Sequence, residues 1–316
     1  MDKTTLKKLE FDKIQAKLAE LTHFQGGLDH VLNMSPSSDY ELVNKRLDET
    51  EEAMEFLRYG EPGFLNNLSL INNHVRKAQI NGILSPYELL EVYYLLRNSR
   101  LAKKSIDVHK YKRLGQIAAT IEDDRDLEDQ IAKVITEDGD IKDDATPELK
   151  SIRNQINTHK NRIREYLQNF IRSENNQKYL QDALVTERDG RYVIPVKQEF
   201  RHEIKGIIHD ESASGATVFI EPISVVEHNN KIRLLQLEEK REIEKILSSL
   251  SSKVALIADN LLHNFRMLAL LDNIFARGRL AYKFNAFRPD INNKGIIEIR
   301  RGKHPLIGEE AVPLNV

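Results

Sequence analysis

Apolar positions in this chain change their period several times, and each change predicts a different kind of element. Leu6, Leu9, Ile14, Leu18 and Leu21 recur at helical spacing, which predicts a first helix over residues 4–32, broken at Gly26-Gly27. Ser35-Pro36-Ser37-Ser38-Asp39 supplies caps for a second helix, which Gly60 closes before Pro62-Gly63 turns the chain. A short helix over 74–80 follows, then one opened by Ser85-Pro86 that runs to about Lys104. Two or three more lie between Tyr111 and Ile135, with the acidic run Glu122 to Asp126 as a loop or a helix start favoured by the dipole rather than a catalytic pair. Acidic loops at Glu137 to Asp140 and at Asp143-Asp144 close this α-helical region.

Beyond it, Leu149, Ile152, Ile156, His159, Ile163, Tyr166 and Phe170 alternate spacings of three and four, a heptad seam with polar residues between. Such a helix buries one narrow stripe and wets the rest. Helix is predicted from Pro147 to Tyr179 and again from Val225 to about Phe284. On the return helix Ile243, Ile246, Leu250 and Ile257 offer a matching stripe, beside the charged face Glu238 to Glu242. Between the two helices, Leu184 to Glu221 alternates β-branched and polar residues around the turn signals Asp189-Gly190 and Ser214-Gly215. The expected fold class is therefore mainly α: a helical body and a long antiparallel helix pair with a small β-rich insert at its tip. Thirty residues of helix rise roughly 45 Å, enough to hold that insert at a distance. Residues 263–287 turn apolar again and should rejoin the body. Ile296 to Arg300 reads as a strand and His304-Pro305-Leu306 as a turn. The chain stops as β structure begins, so a further domain is expected after it.

Composition narrows the function classes. With 30% charged residues much of the helical surface is solvated, and 7% aromatics without Trp is thin for one compact globule of 316 residues. A net charge of −2 gives no global basic field to draw the chain to nucleic acid or membrane. The absence of cysteine excludes disulfides, thiolate zinc sites and thiol chemistry. No apolar run approaches the roughly 18 residues that span a bilayer, and a cytoplasmic location is expected.

Several long motifs resemble one family. LEFDKIQAKLAEL from Leu9, NGILSPYELLEV from Asn81 and DGDIKDDATPELKSIR from Asp138 are the first. YLQDALVTERDGRYVIPVKQEFR from Tyr179, GIIHDESASGATVFIEPISVVEHNN from Gly206 and RGKHPLI from Arg301 are more specific. Together they resemble the N-terminal part of bacterial MutS-like proteins of the second type, which lack mismatch-recognition domains. The resemblance implies a core over 1–146, an ascending lever helix over 147–180 and a clamp over 181–222. A descending lever over 223–262, a return to the core over 263–290 and the start of an ATPase domain over 291–316 would follow. It further implies a dimeric ATPase and endonuclease in full length, with ATP and Mg²⁺ bound by parts absent here. Two jobs are implied: binding branched DNA with suppression of recombination, and splitting collided ribosomes, an rRNA-binding role. No GxxxxGK[ST] phosphate loop occurs in this chain, so neither ATPase nor nuclease residues carry over.

The residues themselves supply modest candidates. In the β-rich insert Arg188, Arg191, Lys197, Arg201 and Lys205 could contact phosphate, yet between Asp182 and Glu211 five cations face seven anions. The alternative is a small module that packs on itself. On the outgoing helix Lys150, Arg153, Lys160, Arg162, Arg164 and Arg172 could track a backbone, or simply form a solvated face. Lys110 to Arg113 reads as a surface cluster. His209, Asp210, Ser212 and Ser214 lie too close in sequence to converge as a hydrolase triad, and no GxSxG elbow exists, so a Ser/Gly turn is expected. His202 and His209 lack metal-ligand spacing, and His159 is expected to set helix register. The resulting expectation is a non-catalytic module, without its own cofactor or metal, that grips nucleic acid or ribonucleoprotein as a monomer or weak dimer. The opposing class is a purely structural folding or dimerisation scaffold.

Overall fold

The computed structural model describes residues 3–316 and is mainly helical with one small antiparallel sheet. Its contacts divide it into two compact units. One comprises the chain up to Asp140 and from Ser248 on; the other is Ile141–Leu247.

In the first unit the helices are α1 (Lys3–Lys8), α2 (Phe11–Ala19), α3 (Gln25–Leu32), α4 (Tyr40–Leu57), α5 (Asn72–Gln79), α6 (Pro86–Ser105), α7 (Lys112–Ala119) and α8 (Arg125–Val134). Caps fix several starts as the sequence suggests. Asp39 accepts from Leu42 N, Asp124 accepts from Leu127 N, and Ser85 forms a reciprocal capping box with Glu88. The first predicted helix is instead three pieces, and Gly26 and Gly27 lie inside α3 rather than at a break. A Cβ on Gly27 would sit 2.0 Å from Asp272 Oδ2. These glycines serve close packing, not chain reversal. The buried Asp272 accepts from the backbone N–H of His23 and Phe24, capping α3 from a distant part of the chain.

Asp272 belongs to a helix at Ala258–Lys283, whose Leu261, Leu268, Leu271, Ile274 and Phe275 are all buried. This helix packs against α2 to α7, and Phe275 joins Phe56 and Phe64 in edge-to-face contacts. Tyr111, expected in a surface cluster, is buried against Phe56. Ile296 to Arg300 is not a strand. Only Ile299 pairs with Val316, and Gly302 with Leu314, so this alternating apolar stretch has too few neighbours to form a sheet.

The second unit starts with α9 (Pro147–Arg172), capped by Thr146 with Pro147 in its first turn, and a short α10 (Glu174–Gln177) beyond Ser173. Then come β1 (Thr186–Arg188), β2 (Arg191–Lys197), β3 (Gly206–Glu211) and β4 (Thr217–Pro222), in the antiparallel order β1-β2-β4-β3. Asp189 and Gly190 both adopt positive φ (49° and 74°), the two-residue turn that the Asp-Gly signal predicts. The following helix α11 (Ile223–Leu256) contributes its first part to this unit. The helix read through to about Phe284 breaks at Ile257, so Ala258–Lys283 is α12.

One core binds the helix pair to the sheet. Ile194 and Val196 of β2 face the same way as Val218 and Ile220 of β4 and meet Ile156, Ile163 and Leu167 of α9. From α11 that core takes Val225, Ile232 and Leu235, while Ile243, Ile246 and Leu250 lie outside it. Polar pairs continue the seam within and beyond this apolar core. Thr146 faces Glu242, Arg153 faces Glu239 and His159 faces His228, so numbering rises on one helix as it falls on the other. The pair is antiparallel. Near its end the α9 seam runs through buried Leu167 rather than Tyr166, which is exposed.

Candidate nucleic-acid interface

The candidate cations of the second unit divide by what their side chains already touch. β3 contains a bulge between Ile208 and Asp210, and the extra residue, His209, turns its ring to Glu221. Glu221 on β4 is completely buried, with Arg191 Nη1 2.8 and 2.9 Å from its two oxygens and Asn229 Nδ2 at 2.7 Å. Asn229 also accepts from Tyr192 N, and Arg191 donates to Asn230. A buried charge held by three donors ties β2, β3 and β4 to α11. Arg191 is therefore occupied. Gly206 completes this arrangement, because a Cβ there would come within 2.3 Å of the Glu221 carbonyl oxygen.

Arg188 is also committed: it stacks on Phe219 at 4.0 Å and pairs with Asp210 at 3.1 Å. Arg153 donates to Glu239 and Asp143. Burial opposes its charge, but those two carboxylates outweigh it and raise its pKa. Lys197 reaches the carbonyl of Lys178, and Lys178 lies over Tyr179.

The remaining candidates are freer. The exposed Arg201 side chain donates to neighbouring His202 and to no other described residue, and Lys205 is exposed, both in the segment joining β2 to β3. Lys150, Arg162, Arg164 and Arg172 are exposed on α9, and Lys160 is half-buried. Charges available to a polyanion thus sit on the β2–β3 connection and along α9. The sequence located the cations but not their commitments, since Glu221 and Asn229 sit thirty or more residues from Arg191 and Tyr192.

The hydroxyl cluster behaves as a turn. Ser212 Oγ accepts from Thr217 N and lies 3.3 Å from Ser214 Oγ, while His209 is engaged with Glu221. Among the described residues no group of three or more His, Cys, Asp or Glu is placed to hold a metal ion. At the seam His159 and His228 bring their Nδ1 atoms to 3.0 Å, so one donates and the other accepts. Burial, then the charges of His228, Arg162 and Lys231, lower the pKa of His159 against a weaker opposing pull from Glu227. No single described helix is long and apolar enough to cross a membrane.

No protein-family model matches the chain. Curated relatives do. Proteins named Endonuclease MutS2 from Bacillus cytotoxicus and Ruminiclostridium cellulolyticum are 41% and 40% identical over 98% and 99% of this chain. The protein of that name from Geobacillus thermodenitrificans is 42% identical over all of it. The chain spans about 40% of the length of these relatives. It is thus similar, across practically its whole sequence, to a segment making up two-fifths of Endonuclease MutS2.

Proposed function

We propose that this chain is the core, lever and clamp portion of a MutS-like protein of the second type. In this reading its second unit grips nucleic acid or ribonucleoprotein and does no chemistry of its own. The observation that carries the reading is the 40–42% identity over 98–100% of the chain to proteins named Endonuclease MutS2. Uncommitted cations on the β2–β3 connection and on α9 support it, because phosphate neutralisation needs charges not already spent inside the fold. The buried Glu221 network supports the mechanical side. It ties the sheet to α11, so that movement of the helix would carry the sheet with it.

In full length, ATP with Mg²⁺ would act in parts beyond this segment, in a cytoplasmic homodimer. The partner would be a collided ribosome, with branched DNA as the other candidate. The near-neutral charge favours a large, shaped ribonucleoprotein over bare duplex, since a weak field leaves recognition to shape.

The test is binding of this chain to a labelled four-way DNA junction and to purified stalled disomes, at low and at physiological salt. Disome binding that survives physiological salt is the expected result. Salt-sensitive junction binding alone would move the assignment to recombination. Binding to neither would overturn the gripping role.

A further inference from the structure

The face of α9 turned away from its seam carries a second pattern. Asn154, Asn157, Asn161 and Gln168 recur at spacings of three, four and seven, with Lys150, Arg164 and Arg172 on the same line. All are exposed, and none of these side chains has a hydrogen-bond or ion-pair partner among the described residues. The only acids of α9 are Glu148 and Glu165, so the stretch from Leu149 to Arg164 contains no carboxylate. Local stability does not explain this composition. Asparagine is among the poorer helix formers, and an exposed face chosen for helix strength would carry Ala, Glu or Lys instead. A run of side chains that works against its own element marks a surface selected for contact.

We propose that this ribbon docks double-stranded RNA, with the amides on 2′-hydroxyls across the minor groove and the three cations on flanking phosphates. A carboxamide both donates and accepts, matching the 2′-hydroxyl, which does the same. The A-form minor groove is wide and shallow enough to receive a helix face, whereas that of B-DNA is only about 6 Å wide. From Lys150 to Arg172 the ribbon rises about 33 Å, so its cations meet well-separated phosphates. From Lys150 to Arg164 the line meets no carboxylate, which removes over that stretch the repulsion that elsewhere in this near-neutral unit opposes a polyanion; exposed Glu165 borders it only beyond Arg164. The proposal rests on the reading of this unit as a nucleic-acid grip, and it names the substrate and the face.

The experiment is fluorescence anisotropy of the 316-residue chain with an RNA hairpin of about 16 base pairs, the span of known duplex-RNA modules, and its DNA counterpart. RNA should bind about tenfold tighter than DNA. The triple variant Asn154→Ala, Asn157→Ala, Asn161→Ala should weaken RNA binding roughly tenfold, leave DNA binding unchanged and melt no lower than the unmodified chain. Lys150→Ala, Arg164→Ala and Arg172→Ala together should weaken both and flatten the salt dependence by about one unit of slope per cation. Equal affinity for RNA and DNA, or undiminished RNA binding by the asparagine variant, overturns the proposal. A parallel variant, Arg201→Glu with Lys205→Glu, separates the two failures. RNA binding lost there but unaffected in the ribbon variants defeats the ribbon alone, and no binding by the unmodified chain defeats both readings.

Discussion

Glu221 is the residue on which the second unit turns, because its carboxylate is completely buried and Arg191, His209 and Asn229 all reach it. Removing one member of a buried pair leaves the other uncompensated. Glu221→Ala should therefore destabilise this unit by about 3 kcal/mol, seen as faster amide exchange across residues 186–222. A change within 0.5 kcal/mol, on the order of an ordinary surface substitution, would mean the network is ornamental. His159 gives the unit a pH dependence with a defined sign. Its pKa in the folded chain is lowered from 6.5, so the unfolded chain binds the proton more readily. The associated stability is intact above that value and declines as pH falls towards the lower folded-state pKa. Urea midpoints should drop on going from neutral to mildly acidic pH, and the drop should shrink in His159→Asn. At this scale the sequence exposes charge but conceals commitment. Arg153, Arg188 and Arg191 stood as equals of Arg201 and Lys205, and only the fold shows that the first three are engaged by carboxylates.

Elements were most legible where a single local rule governs them. Asp39, Ser85 and Asp124 cap as their types suggest, and Asp189-Gly190 makes its two-residue turn. Rules failed where a distant partner decides. Gly26-Gly27 reads as a breaker, yet the space beside Gly27 is taken by Asp272, some 245 residues later. Gly27→Ala should accordingly cost about 2 kcal/mol through overpacking, despite the better helix propensity of alanine, and thermal melting of the chain checks it. The return stripe of Ile243, Ile246, Leu250 and Ile257 is not the side that meets the α9 core, for a related reason: Glu239, Glu242 and His228 occupy seam positions and answer polar groups on α9, which hides the period from hydropathy alone. Ile296 to Arg300 has strand-like alternation but lacks the neighbouring strands that make a sheet.

On the scale of the molecule, the mainly helical class with a small antiparallel sheet was readable because periods of two and of three-to-four residues occupy separate stretches. The unit spanning Ile141–Leu247 has its own core, from Ile156 and Ile163 through Ile194 and Ile220 to Ile232. Expressed alone, it should fold, giving a cooperative thermal transition and dispersed amide resonances; a molten species would show that its core is incomplete. The proposed function requires exposed cations of this unit to grip a ribonucleoprotein. The most direct measurement is co-sedimentation with stalled disomes at physiological salt, comparing the unmodified chain with a variant that reverses both groups of exposed cations: Arg201→Glu and Lys205→Glu together with Lys150→Glu, Arg164→Glu and Arg172→Glu. The unmodified chain should travel with the disomes and the variant should remain in the supernatant. Equal sedimentation of the two, or disome binding by neither, would rule out a grip made by these cations.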